Sequence, residues 1–312
     1  MSTPRSRSLA LALAGLVGSV VLAGCGDDPD PVADDPEGTG GQSSEATPSG
    51  EPAPTPSDAG DGSGGSGDGS GEQVTVPVYF VGDTPQGRRL YREFRKVEGD
   101  DPLAEAAALM TAGDANDADY GTLFSAGDFA SVSYDAGSGF VVELADSAYA
   151  TAPEGMSKRT ARLAAQQLVY TLQGVQQQKD PVTVELGGSP STLFGVDTSS
   201  GLKRAGEIDT LALVNVTAPE EGATVSGTFT ASGVASAFEA TVPWQVKQGE
   251  EVVLEGFATA EGWMDKLYPW ESEVDVSGLA PGDYTFEATT GDPSGGEEGF
   301  GPTVDTKTIT VE

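Results

Sequence analysis

The 312-residue chain has no histidine and a single cysteine, Cys25. Those two counts narrow the available chemistry. Without imidazole there is no Ser-His or Cys-His pair and no common general base. Zinc loses its nitrogen ligands, and one thiol does not make a zinc site. Carboxylate chemistry remains open, as a glycosidase-like pair of acids or a hard-cation site. The best cation candidate is "DANDADYG" at 114–121. Counted from Asp114, position five is Ala118 and position six is Asp119; counted from Asp117, position five is already Gly121. Neither frame meets the calcium-loop spacing, so a solvated polar loop is the plainer reading.

Two other groups of side chains could make contacts rather than do chemistry. Arg88, Arg89, Arg92, Arg95 and Lys96 form the one basic cluster of an acidic protein. They suit an anionic wall polymer, lipid head groups or an acidic partner, or they pair with the chain's own acids. Trp263, Tyr268 and Trp270 lie close together near the C-terminus. Exposed, they could stack on sugar or anchor a partner; buried, they are ordinary sandwich core. "SGLK" at 200–203 has the serine-to-lysine spacing of penicillin-binding enzymes, but the Ser-Asp-Asn and Lys-Thr-Gly partners are missing, and a turn is expected. Asn215-Val216-Thr217 spells a glycosylation sequon inside an expected strand and is discounted. No catalytic residue, metal or cofactor is assigned, and an enzyme is not expected.

The position of Cys25 has its own explanation. Arg5 and Arg7 precede an apolar run from Leu9 to Leu22, the order of an export signal. Fourteen residues fall short of the roughly 20 that a membrane span needs. The run closes on Leu22-Ala23-Gly24-Cys25, which resembles the lipobox of bacterial lipoproteins. That resemblance implies cleavage after residue 24 and a diacylglycerol on the Cys25 sulfur. Such an anchor places the protein on the outer face of the cytoplasmic membrane.

Charge and composition then divide the rest. Residues 25–72 are Gly, Ser, Pro and acid, with twelve acids and no base after Cys25. Such a stretch has too little to bury to offset its ordering entropy and reads as a disordered tether. "GGSGDG" within it is one irregular copy, not a calcium-binding repeat. Residues 73–207 carry a net −7 and residues 208–312 a net −16. Nucleic acid is bound through Lys and Arg, so nucleic-acid partners are excluded.

Residues 73–207 alternate strands and helices. "VTVPVYFVG" is an apolar, β-branched strand and "GRRLYREFRKVE" a second extended segment. "DDPLAEAAALMTAG" is a helix: Asp100 or Asp101 caps it, Pro102 opens it and Gly113 ends it. Leu103, Ala106, Ala107 and Met110 mark its inner face. "SKRTARLAAQQLVYTLQG" is a longer helix capped by Ser157 and ending near Gly174. The run "VPVYFVG", "AAALMTAG", "GFVVELADSAYATAP", "AQQLVYTLQGV" and "PVTVELGGSPSTLFG" resembles the GerMN domain of sporulation and germination proteins. The resemblance implies a non-enzymatic domain that interacts with other proteins.

After Asp209 the periodicity changes to two, with turn signals at Gly222, Gly249 and "APGD" at 280–283. About seven short strands in roughly 100 residues predict a β-sandwich over 208–312. "TAPEEGATVSGTFTASGVASAFEATV" resembles the immunoglobulin-like domain of bacterial spore germination proteins, through Pro219, Gly222, Val225, Gly227, Gly233 and "AFEA". The expected class is α+β: signal 1–24, tether 25–72, GerMN-like domain 73–207, sandwich 208–312. The expected role is a lipid-anchored envelope scaffold, with envelope proteins or wall polymer as partners. A wall-glycan-binding module is the alternative, and a carboxylate hydrolase ranks last.

Overall fold

A computed structural model describes residues 72–124, 128–291 and 301–312. The signal, Cys25 and the tether lie outside the described residues. The architecture is α+β: a mixed α+β half followed by an immunoglobulin-like sandwich.

β1 (Gln73–Gly82) is buried from Val76 onward, as its apolar run requires. It pairs antiparallel with β2 (Arg89–Glu98), with Gly82 opposite Arg89. α1 (Pro102–Ala112) follows, with the expected punctuation. Asp101 Oδ1 accepts from the Ala104 N–H at 3.2 Å, Pro102 opens the first turn, and Gly113 closes it at φ 67°. β3 (Phe129–Asp135) and β4 (Gly139–Leu144) form a hairpin. α2 (Lys158–Gln176) crosses over to β5 (Val182–Leu186), which lies parallel to β4. Short steps complete this half: β6 (Ser189–Pro190), β7 (Thr192–Leu193), β8 (Val196–Asp197) and the single turn α3 (Glu207–Thr210).

The contacts of α2 with β1 account for two of the three polar residues on its buried face. Gln167, Thr171 and Gln173 all point inward. The Tyr79 N–H donates to Thr171 Oγ1 at 3.1 Å, and Gln167 Nε2 donates to the Tyr79 carbonyl at 3.0 Å. Gln167 Oε1 also accepts from the Leu123 N–H. The helix thus satisfies backbone groups on the edge of β1 away from β2, groups that would be costly to bury unpaired. Gly174 does not end this helix, which runs on to Gln176 and turns left-handed at Gln177 (φ 55°). The glycine serves close packing, since a Cβ there would lie 2.8 Å from Pro77 Cγ.

Among the described residues, the second half contains eight strands. They are β9 (Val214–Ala218), β10 (Ala223–Val225), β11 (Thr228–Ala235), β12 (Thr241–Gln248), β13 (Glu251–Thr259), β14 (Tyr268–Asp275), β15 (Gly282–Thr289) and β16 (Val304–Val311). One sheet has the order β10-β16-β15-β12-β13 and the other β14-β11-β9. Val214, Ala231, Val246, Phe286 and Ile309 fill the space between them, fully buried. Burying each of the Val, Phe and Ile side chains contributes about 1.5–3 kcal/mol. Gly256 lets the Trp244 ring lie flat on β13, where a Cβ would stand 2.3 Å from it.

Candidate functional site

β2 is the strand on which the two halves meet. The Ala212 N–H donates to the Leu90 carbonyl at 2.9 Å, and the Tyr91 hydroxyl donates to the Val304 carbonyl at 3.2 Å. Beneath it lies a buried charged cluster. Lys307 Nζ donates to Asp117 Oδ2 at 2.5 Å, to the Tyr120 hydroxyl at 2.8 Å and to Asp305 Oδ1 at 3.1 Å. The Tyr120 hydroxyl donates to Asp305 Oδ1 at 2.5 Å, and Asp305 Oδ2 accepts from the Val216 N–H and Asn215 Nδ2. Asp117 and Tyr120 come from the loop after α1; the remaining groups come from β9 and β16. Burial is the strongest influence on Lys307 and pulls its ammonium down. Asp305 and Asp117 outweigh it, and the net pKa is raised. Burial pushes the Asp305 carboxyl up, opposed by Lys307 and by the Tyr120 hydroxyl. Burial, then Asp305 and Asp117, hold the Tyr120 phenol well above its ordinary range.

"DANDADYG" is a largely solvated loop, with Asp114, Asn116, Ala118 and Asp119 exposed, but it sends two side chains, Asp117 and Tyr120, into the interior. Asp117 is 4% exposed and bound to Lys307, Asp119 accepts from Thr306, and Asp114 accepts from Arg95. A signal for this was present. In "TVDTKTITV" the alternation places Asp305 and Lys307 on the same inward face as Ile309 and Val311. Two opposite charges on a core-facing stripe call for a buried partner.

The basic cluster is not one patch. Arg88 pairs with Asp83 at 3.5 Å in solvent. Arg89 Nη1 donates to the Ile208 carbonyl of α3 at 2.7 Å, and burial lowers its pKa. Arg92 Nη2 donates to Thr217 of β9 at 3.2 Å, with its guanidinium 4.7 Å from the Phe94 ring centre. Arg95 pairs with Glu93 and Asp114. Arg89 and Arg92 thus bind the second half of the same chain.

The C-terminal aromatics also separate. Trp270 is 3% exposed and sits in the sandwich core, the buried of its two sequence readings, and is not available as a partner or glycan contact strip. Its neighbours Pro269 and Glu271, with Arg92, Phe94 and Thr217, border a groove of about 600 Å³. Tyr268 is half-buried and donates to Asp265 at 2.8 Å. Trp263 is exposed and meets a residue that sequence reasoning missed. The Phe238 ring lies 5.3 Å away, edge to face at 75°. Met264, beside it, is also exposed. Ser200 stands in a turn rather than at a helix start, and Lys203 gives only its carbonyl, to Gln166. Among the described residues, no group of three or more acids or Cys is placed to hold a metal.

Residues 77–192 match the family described as sporulation and spore germination. Residues 213–297 match the family described as the immunoglobulin-like domain of bacterial spore germination. No curated protein matches the chain. Among solved structures, the chain is similar to the tandem GerMN domains of the sporulation protein GerM from Bacillus subtilis. That pair shares 13% identity with a TM-score of 0.35, over 66% of this chain and 62% of that one. An engineered protein shares 15% identity with a TM-score of 0.25, over 48% of this chain and 36% of that one. The chain thus spans less than two thirds of either neighbour, and the domain assignment rests on the two family matches.

Proposed function

We propose, from a chain that carries two spore-germination-type domains in succession, that the protein is a lipid-anchored, non-enzymatic interaction component of a bacterial envelope. The succession of the two domains is the observation that carries this reading. The lipobox-like Leu22-Ala23-Gly24-Cys25 supports the anchor and a location on the outer face of the cytoplasmic membrane. The bonds from β2 to residues 208–312 support the two halves acting as one block. Envelope proteins are the expected partners, and the net −33 charge disfavours nucleic acid. Glycan contact through the C-terminal aromatics is the second reading. It now depends on Trp263, because Trp270 is buried.

Crosslinking in intact cells tests the proposal, comparing wild type with Cys25→Ala. Recovery of defined envelope proteins from the wild type alone is the expected result. Recovery of wall polymer alone would move the assignment to glycan binding. An unchanged membrane fraction after Cys25→Ala would remove the anchor.

A further inference from the structure

We propose that Phe238, Trp263 and Met264 form a docking point that enters an apolar pocket with a basic rim on an envelope protein. The inference rests on the protein-interaction reading and names the surface and the partner chemistry.

Seven large apolar side chains are exposed among the described residues, and these are three of them, at 49%, 38% and 68%. Single exposed apolar residues are ordinary; a cluster marks an interaction site. Aromatic residues and Met are also the types enriched at the centres of interfaces. The three come from two loops, the turn Phe238–Ala240 and residues 260–267.

Both loops are held. The Met264 N–H donates to Ser236 Oγ at 2.9 Å, and the Ala260 N–H donates to the Ala240 carbonyl at 2.8 Å. Gly262 lies so close to Tyr268 that a Cβ would stand 2.6 Å from its ring. Leu267 is buried, and its N–H donates to Glu207 Oε2 at 3.1 Å. Five non-glycine residues have positive φ among the described ones, and Glu239, Ala240 and Met264 are three of them. Backbone strain of this kind persists where the surroundings impose it, and it clusters at functional sites. The apolar tip is therefore presented in one conformation, which lowers the ordering cost of binding.

Charge selects the occupant. Glu239, Glu261 and Asp265 are exposed around the tip, against one cation, Lys266, which lies 4.8 Å from the Tyr268 ring centre. Residues 208–312 hold only two other bases; Lys247 pairs with Glu287, and Lys307 is buried. Anionic lipid and anionic wall polymer are repelled by such a rim. An apolar pocket bordered by Lys and Arg satisfies both rings and rim.

The test places a photoreactive benzoyl-phenylalanine at position 238 or 264 of the full-length lipoprotein in its own cells. Position 257, an exposed Phe on β13, is the comparison. The expected result is a discrete adduct at 238 and 264, with the crosslinked partner segment apolar and flanked by Lys or Arg. Its yield at 264 should fall about tenfold in Trp263→Ala, as for an interface hot spot. It should fall likewise in Glu239→Lys/Glu261→Lys, with the melting temperature of each variant unchanged. Adducts at 238 and 264 with lipid, glycan or a second copy, or none at those sites, overturn the inference. Protein adducts at 257 alone would leave the docking function standing and remove the tip from it. No protein adduct at any position would remove both.

Discussion

The junction and the tip invert the usual partition of side chains in opposite directions. At the junction, Lys307, Asp305 and Asp117 are charged and buried. At the tip, Phe238, Trp263 and Met264 are apolar and exposed. Both arrangements cost free energy in isolation. The difference is where the compensation lies. Each charge of the junction finds its partners inside the chain, across the two halves. The tip rings pack edge to face on one another and remain exposed. The charges of the junction are thus compensated within the chain, whereas the apolar tip keeps much of its surface in solvent.

Removing the junction charge is the strongest way to break this contrast. Lys307→Met leaves two buried carboxylates without their cation, though Asp305 keeps its Tyr120, Asn215 and Val216 donors, and the expected loss is about 3–5 kcal/mol, or about 6–20 °C in melting temperature by calorimetry. Melting within a degree of wild type would show that the junction does not hold the halves together. The same charge has a pH signature. The raised Lys307 pKa means that the folded state holds its proton more tightly than the unfolded chain does. That stability is fully present below the ordinary lysine value of 10.5 and is lost as pH rises through the folded value. Buried Tyr120 adds a loss of the same sign from 10 upward. The wild type should therefore lose stability in alkali more steeply than Lys307→Met; parallel curves would contradict the assignment.

A smaller effect is expected at Gly233, which faces the Asn215 backbone of β9. A Cβ there would stand 2.1 Å from the Asn215 carbonyl oxygen and 3.0 Å from the Trp270 ring. Gly233→Ala should cost about 1–3 kcal/mol in urea unfolding through strain alone. The tip supplies the smallest expected effect. Trp263→Ala is an exposed substitution and should change unfolding free energy by no more than about 0.5 kcal/mol. A larger loss would make Trp263 a structural residue and dissolve the contrast with the junction.

The elements were legible where the cause is local. Asp101, Pro102 and Gly113 punctuate α1, and Ser157 accepts from the Thr160 N–H at 3.1 Å to cap α2. Alternation likewise revealed the sandwich strands. What stayed hidden depends on distance along the chain. Asp117 and Lys307 are 190 positions apart, and neither reports the other in its own neighbourhood. Gln167 and Thr171 look like flaws in an apolar helix face until β1 lies beside them. Trp263 and Trp270 are neighbours in sequence, yet β14 turns Trp270 inward and the loop leaves Trp263 in solvent. Phe238 escaped notice because a lone Phe in "SAFEA" gains meaning only against Trp263.

The separation between Asp117 and Lys307 also sets a timetable. Contacts between distant positions require closure of a large loop before any favourable interaction appears, so they form slowly. Each half has local helices or hairpins that can collapse first. The charged cluster is therefore expected to close late, and Lys307→Met should change the unfolding limb of a chevron far more than its folding limb. A contact absent from the rate-limiting step leaves the folding rate nearly unchanged and acts as a brake on unfolding. Such a brake is a measure of lifetime: cleavage that waits on unfolding slows with it, and the buried lysine is expected to lengthen the persistence of the folded block.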